Sequence, residues 1–208
     1  MVGSLICLEG FEGAGKTTRA QALQRTLVEA HSRSCLIVRE PGGDGFAEEL
    51  RTILKHSEYE ITPWAEVLAF NAARANMLAQ AVAPLLNEGY DVISDRSYIS
   101  TMTYQGYGNG WEADELERLR QVCKIAIRPA PPAVIVVLDV SYGVSMGRKA
   151  VRGEQTDRFE SRSHEYLKKV IYGYLAEADI GHHPIVNADK SEAAVDAAIL
   201  KAVLPAIS

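Results

Sequence analysis

The sequence predicts an α/β protein in which a parallel sheet of about five strands is covered by helices on both faces. Three observations lead there. Short apolar or β-branched runs recur at residues 4–9, 35–39, 90–94, 133–139 and 184–187, with longer stretches of helical periodicity between them. Within those runs the apolar residues (ICL, LIV, VI, AVIVVL) are continuous instead of alternating, the pattern of strands buried on both faces. A glycine-rich turn, GFEGAGKT at residues 10–17, directly follows the first run and precedes a helix expected from residue 17 to about 30.

Thr62 before Pro63 reads as an N-cap with proline at the first helical position, opening a helix that runs to about residue 87. Pro84 has no N–H and predicts a kink or early stop near its end, and Gly89 supplies a turn into the next strand. No internal repeat or long linker divides the chain, so residues 1–208 are expected to form a single domain. The one compositional anomaly is RKAVRGEQTDRFESR at residues 148–162, crowded with charge around a central glycine.

With 47% hydrophobic and 24% charged residues, the 208-residue chain has the composition of a folded globular protein, not of a disordered or fibrous one. Its net charge of -5 argues against general nucleic-acid binding, which rewards a basic face. An anionic ligand must therefore meet a local group of arginines. Cys7, Cys35 and Cys123 form no CxxC pair and read as buried thiols in a reducing compartment. The first residues lack the basic lead and apolar length of a signal peptide, and no run approaches membrane-spanning length, so a cytoplasmic location is expected. His31, His56, His164, His182 and His183 show no metal-ligand spacing and are expected at the surface or at caps.

The turn at residues 10–17 fits GxxxxGK[ST] in its required strand-to-helix setting, which predicts the three-layer P-loop NTPase fold. Its glycines let successive N–H groups face one point, and the following helix aims its positive end at the same anion. Gly10, Phe11, Glu12, Gly13, Ala14, Gly15, Lys16, Thr17 and Thr18 are accordingly assigned to the phosphates of a nucleoside triphosphate, which the resemblance stated below makes ATP. Lys16 is expected to reach the β- and γ-phosphates and Thr17 to place its hydroxyl on Mg²⁺. A guanine reader is missing: residues 187–190 read NADK, which breaks NKxD spacing, and no DxxG follows the third apolar run.

Both REPGGD at residues 39–44 and DRSYISTMTYQGYGNG at residues 95–110 follow strand ends, where an open parallel sheet places its ligands. Together with EGFEGAGKTT, EVLAFNAAR, LDV and RGEQTDRFE, these segments resemble, in order and over nearly the whole chain, the thymidylate kinase family of P-loop nucleoside monophosphate kinases. The resemblance implies transfer of the γ-phosphoryl group of Mg·ATP to thymidylate, a step of nucleotide biosynthesis. It implies a base pocket with Phe70 stacked on thymine and Arg74 bonded to a ring carbonyl, and the i,i+4 spacing of the two sets them on one helix face. Thr101 would meet the far edge of the base and Tyr104 the sugar, while Pro41, Ser100 and Gln105 complete the acceptor pocket. Arg39 and Arg96 would hold the acceptor phosphate, and Glu12 would lie on the 3'-hydroxyl side of the sugar. Asp95 would support Mg²⁺ through water, and residues 187–191 would pack against adenine. A homodimer formed through helix faces is also implied.

A phosphate monoester is largely ionised at neutral pH, so no general base is required and catalysis rests on positioning and positive charge. Lys16 on the donor phosphates and Arg96 and Glu12 on the acceptor side are catalytic candidates. In the family the segment matching residues 148–162 is a mobile lid over ATP. Position 13 is glycine, so the loop carries no arginine and the lid is expected to supply it through Arg148 and Arg152, with Arg158 as a further candidate.

Four residues depart from the family pattern: Ser97, Thr103, Asp44 and Asn109. All lie on or near the acceptor side, which keeps deoxyuridylate or a modified relative open as the acceptor. Two rivals stand beside the kinase of monophosphates. A deoxynucleoside kinase shares the loop and DRS but needs a carboxylate base for a hydroxyl acceptor. A regulatory protein that binds ATP without transferring it would tolerate loss of Lys16, Thr17 and the arginines, all of which are present.

Overall fold

The structure, a computed structural model, describes residues 2–43, 45–56, 59–152, 159 and 162–207. Five strands, β1 (Leu5–Gly10), β2 (Cys35–Arg39), β3 (Asp91–Asp95), β4 (Val134–Asp139) and β5 (Ile185–Asn187), form one parallel sheet in the order β2-β3-β1-β4-β5. Each lies within a residue or two of its expected place, because a buried strand must be apolar on both faces and therefore reads as an unbroken run. The central strands meet that description, with Ile6, Cys7, Leu8, Val136 and Val137 sealed from solvent. At the edge, β2 departs from it: Leu36 is exposed and Ile37 and Val38 are half-buried, since among the described residues nothing pairs beyond this strand.

The helices are α1 (Lys16–His31), α2 (Gly45–His56), α3 (Pro63–Met77), α4 (Ala83–Asn87), α5 (Tyr98–Thr101), α6 (Ala113–Ala126), α7 (Tyr142–Arg152), α8 (His164–Ile180) and α9 (Glu192–Val203). Helices α1 and α9 pack on each other and on the sheet, while α4, α5 and α8 pack on the sheet with α3 and α6 outside them. This division follows from right-handed crossovers, because the step from β1 out to β2 and the three return steps run in opposite directions.

The long helix expected after Thr62 is interrupted. Thr62 is the N-cap residue in extended geometry, but its side chain makes no capping bond, and α3 ends at Met77. A wide π-helical turn, Leu78–Val82, then leads into α4 with Pro84 in its first turn. Proline supplies no N–H and crowds the carbonyl four residues before it, here in the π segment, so the disruption falls upstream of Pro84 instead of at it. Gly89, at φ 90°, then turns the chain into β3. A second π turn, Met102–Tyr107, extends α5.

Cys7, Cys35 and Cys123 are free and buried. His183 is not the surface group expected: it is half-buried, and its Nε2 lies 3.2 Å from the Tyr98 hydroxyl. Among the described residues no helix is long and apolar enough to cross a membrane.

Candidate active site

The glycine-rich loop leaves the C-terminal end of β1 and delivers Lys16 as the first residue of α1. The Lys16 ammonium is buried, donating to the carbonyls of Gly10 at 2.8 Å and Phe11 at 3.0 Å. Burial, reinforced by the Arg96 charge, pulls Lys16 down to about 7 against the attraction of Asp95, Glu9 and Glu12. The Thr17 hydroxyl donates to Asp95 Oδ2 at 2.5 Å, which joins the loop to the end of β3. Helix α7 packs directly on the loop, with Ser145 Oγ donating to the Glu12 carbonyl at 2.7 Å. Gly13 is at φ 69°, and a Cβ there would come within 2.7 Å of the Ser145 carbonyl oxygen, so position 13 admits only glycine without displacing α7.

A cavity of about 530 Å³ opens at the C-terminal ends of β1, β2 and β3. Lys16, Thr17 and Asp95 line it, as do Glu12, Arg39, Pro41, Phe70, Arg74 and Arg96. Ser100 and Thr101 from α5, and Tyr104 and Gln105 from the second π turn, close it further. Every acceptor residue expected from the sequence thus faces one space, shared with the phosphate loop.

Two arginines in this cavity are held in different ways. Arg74 is almost wholly buried: its Nε pairs with Glu40, Nη1 donates to Asn71 Oδ1 at 2.7 Å, and Nη2 to the Ser97 carbonyl at 3.2 Å and Thr101 Oγ1 at 2.9 Å. Burial pushes the Glu40 carboxyl up, and the Arg74 guanidinium pulls it back. Arg96 stands at φ 88°, directly after β3, and its Nη1 donates to Ser100 Oγ and to the Tyr174 hydroxyl, each at 3.1 Å. Its Nη2 lies 4.0 Å from Glu12 Oε1, and its guanidinium stands 5.6 Å from the centre of the Tyr104 ring. The Tyr104 hydroxyl in turn donates to Glu12 Oε1 at 3.3 Å.

Residues 8–199 match the family model described as thymidylate kinase. The chain belongs to the thymidylate kinase family. It is similar to the thymidylate kinase of Pelotomaculum thermopropionicum, at 38% identity over 207 residues, covering 97% of this chain and 93% of the relative. Similarity to the thymidylate kinase of Chlorobium luteolum is 38% over 207 residues, covering 95% of each chain. For that of Gluconobacter oxydans it is 36% over 203 residues, covering 97% of this chain and 94% of the relative.

This member of the thymidylate kinase family also brings to the cavity three residues that sequence reasoning missed. Arg51 of α2 lines it and donates to the Pro41 carbonyl at 2.7 Å. Burial lowers its affinity for a proton, and the charges of Arg39 and Arg96 add to the effect, so three guanidinium groups converge. A signal existed: Ala47, Leu50, Arg51 and Leu54 have the i, i+3, i+4, i+7 spacing of a core-facing stripe, with an arginine in an apolar place. Lys149 of α7 also lines the cavity, its Nζ 3.3 Å from Glu12 Oε2. Phe159 is buried with its ring centre 5.8 Å from that of Phe70 and 6.3 Å from that of Tyr104.

Arg148 lies on the other side of the loop from this space. Its Nη1 donates to the Gly13 carbonyl at 3.0 Å and its Nη2 to the Ala188 carbonyl at 2.9 Å, beside a second cavity of about 400 Å³ that Thr18, Arg148, Ala188 and Lys190 line. Residues 187–191, expected near adenine, therefore border that cavity through Ala188 and Lys190. The side chain of Arg152, all of Arg158 and Asp44 lie outside the described residues.

Proposed function

We propose that the chain moves the γ-phosphoryl group of Mg·ATP onto thymidylate, giving ADP and thymidine diphosphate. The observation that carries this reading is one cavity holding Lys16 together with Arg39, Arg51 and Arg96, next to Phe70, Arg74 and Tyr104. Three guanidinium groups beside a phosphate loop suit an acceptor that is itself a dianion and would be wasted on a neutral nucleoside. The attacking oxygen of such an acceptor is already ionised near neutral pH, so the chain needs no carboxylate base.

The Thr17 hydroxyl would hold magnesium directly and the Asp95 carboxylate, to which that hydroxyl donates, would support it through water, oxygen donors of the kind the ion prefers. Among the described residues no cluster of three His, Cys, Asp or Glu side chains provides a protein-only cage, which fits an ion that arrives with its nucleotide. When bound, that ion would neutralise charge between the β- and γ-phosphates. Lys16 holds the donor phosphates, Arg39, Arg51 and Arg96 hold the acceptor phosphate, and Glu12 meets the sugar. Phe70 stacks on the base, Arg74 reads its edge, and Gly10 to Thr18 with Arg148 bind the donor, its base in the second cavity.

Buried free thiols at Cys7, Cys35 and Cys123 support a cytoplasmic location. Exposed Phe46, Ile53, Leu68 and Ile125, on the adjoining helices α2, α3 and α6, support a homodimer. A coupled assay of ADP release with thymidylate, deoxyuridylate and thymidine tests the reaction. Preferred turnover of thymidylate supports it. Turnover of thymidine alone, or binding of ATP with no turnover of any acceptor, overturns it, and preference for deoxyuridylate reassigns the base.

A further inference from the structure

Arg96 follows a strand that ends at Asp95, and its left-handed backbone aims the guanidinium back across the C-terminal ends of the sheet. A long side chain in that position has several rotamers, and holding an anion requires one of them. Besides Glu12 and the Tyr104 ring, two hydroxyls hold it at Nη1. Ser100 Oγ donates its single proton to Glu9 Oε2 at 2.7 Å, and Glu9 Oε1 accepts from the backbone N–H groups of Ser97 at 2.7 Å and Ser100 at 2.9 Å. With the Ser100 proton committed, the 3.0 Å contact between Ser100 Oγ and the Tyr174 hydroxyl can be bridged only by the Tyr174 proton, which the Thr103 side chain also faces. The Tyr174 oxygen then accepts from Arg96 Nη1, and Ser100 Oγ accepts the other Nη1 proton. These bonds form a chain that starts on the fully buried Glu9 and ends on the arginine.

We infer that Tyr174, on α8 and remote from the phosphate loop in sequence, is the positioning residue that fixes the Arg96 guanidinium for the acceptor phosphate. The inference rests on the proposed role of Arg96 in holding that phosphate. Tyr174 is buried, and burial beside Glu9 holds its phenol protonated, so it remains a donor to Ser100 throughout the working pH range. Its ring meets Tyr104 edge-on, with centres 6.5 Å apart, so the ring packs in the core while only the hydroxyl reaches the arginine. Thr103, a residue by which this chain departs from its family pattern, donates to the Ser100 carbonyl at 3.0 Å and braces the same turn.

The test is Tyr174→Phe, which keeps the ring and deletes the hydroxyl, in the wild-type and Arg96→Ala backgrounds. The acceptor is whichever of thymidylate or deoxyuridylate the wild type turns over, so the choice of acceptor and the tether are read separately. The expected result is a loss of about tenfold to a hundredfold in kcat/KM for the acceptor with KM for ATP unchanged, the effect of removing one bond to a charged group. In the Arg96→Ala background the same change should alter kcat/KM by less than about twofold, because its effect passes through the arginine. Full activity of Tyr174→Phe overturns the inference, and so does an equal loss in both backgrounds, which would mark the hydroxyl as a prop of the fold.

Discussion

Arg74 and Glu40 form an ion pair sealed from solvent, each side chain 2% exposed, beneath the cavity where the acceptor base is proposed to sit. Glu40 comes from the loop after β2 and Arg74 from α3, so the pair also fastens that loop to the helix carrying Phe70. Removing one partner strands the other charge in a dry site. Glu40→Ala is expected to destabilise the fold by about 3–5 kcal/mol, and Glu40→Gln, which keeps an acceptor, by less. Urea unfolding of both variants checks the order; equal stability of Glu40→Ala and wild type would rule out the buried charge pair.

Lys16 makes the free protein sensitive to pH in one direction. Its folded value, about 7, lies below the ordinary 10.5, so between those limits the unfolded chain holds the extra proton and this group's contribution to stability grows as pH rises. Phosphates restore the charge, so binding ATP at pH 8 is expected to take up a proton. Calorimetry in buffers of different protonation enthalpy measures it. Lys16→Met should abolish the uptake, lower kcat by about a hundredfold or more, and leave the melting temperature of the free protein unchanged or higher.

Arg51 is buried beside Arg39 and Arg96, whose charges Glu48 and Asp95 only partly offset. Arg51→Ala is expected to raise the melting temperature of the free protein and to raise KM for the acceptor by about tenfold or more. A weaker rise on adding salt than in the wild type would accompany it. Steady-state kinetics at two ionic strengths decides, and an unchanged KM would remove Arg51 from the site.

Gly13 is pressed against Ser145 at a positive φ, so Gly13→Ala is expected to destabilise the protein by about 1–3 kcal/mol and to raise KM for ATP. Gly13→Arg should be worse on both counts. An arginine that restored activity to a variant lacking Arg152 would contradict the close fit between loop and helix.

What the sequence made legible follows from how strongly each feature constrains residue type. Buried parallel strands cannot tolerate polar interruption, so β1 and β4 announce themselves, and the phosphate loop needs glycines and a lysine at set spacing. The acceptor residues Phe70, Arg74, Arg96 and Tyr104 could be named only through resemblance, since alone each is an ordinary aromatic or charged side chain. The π turns were invisible, because five or six residues do not distinguish their period from that of an α-helix. Arg51 and Lys149 were passed over because charges on amphipathic helices usually meet water. The direction of Arg148 was not legible either: a charged run states how many arginines are present and not which wall each one faces.

Glu12 connects both halves of the site through a single residue. Its carbonyl accepts from Ser145 in the wall of the donor loop, while its carboxylate meets Tyr104 and Lys149 inside the acceptor space. On the proposed assignment, a triphosphate that shifts this peptide also moves the carboxylate set to meet the second substrate, so discrimination between sugars should change with the donor supplied. Under that assignment, an engineer who relaxes selectivity for one nucleotide should find the other altered.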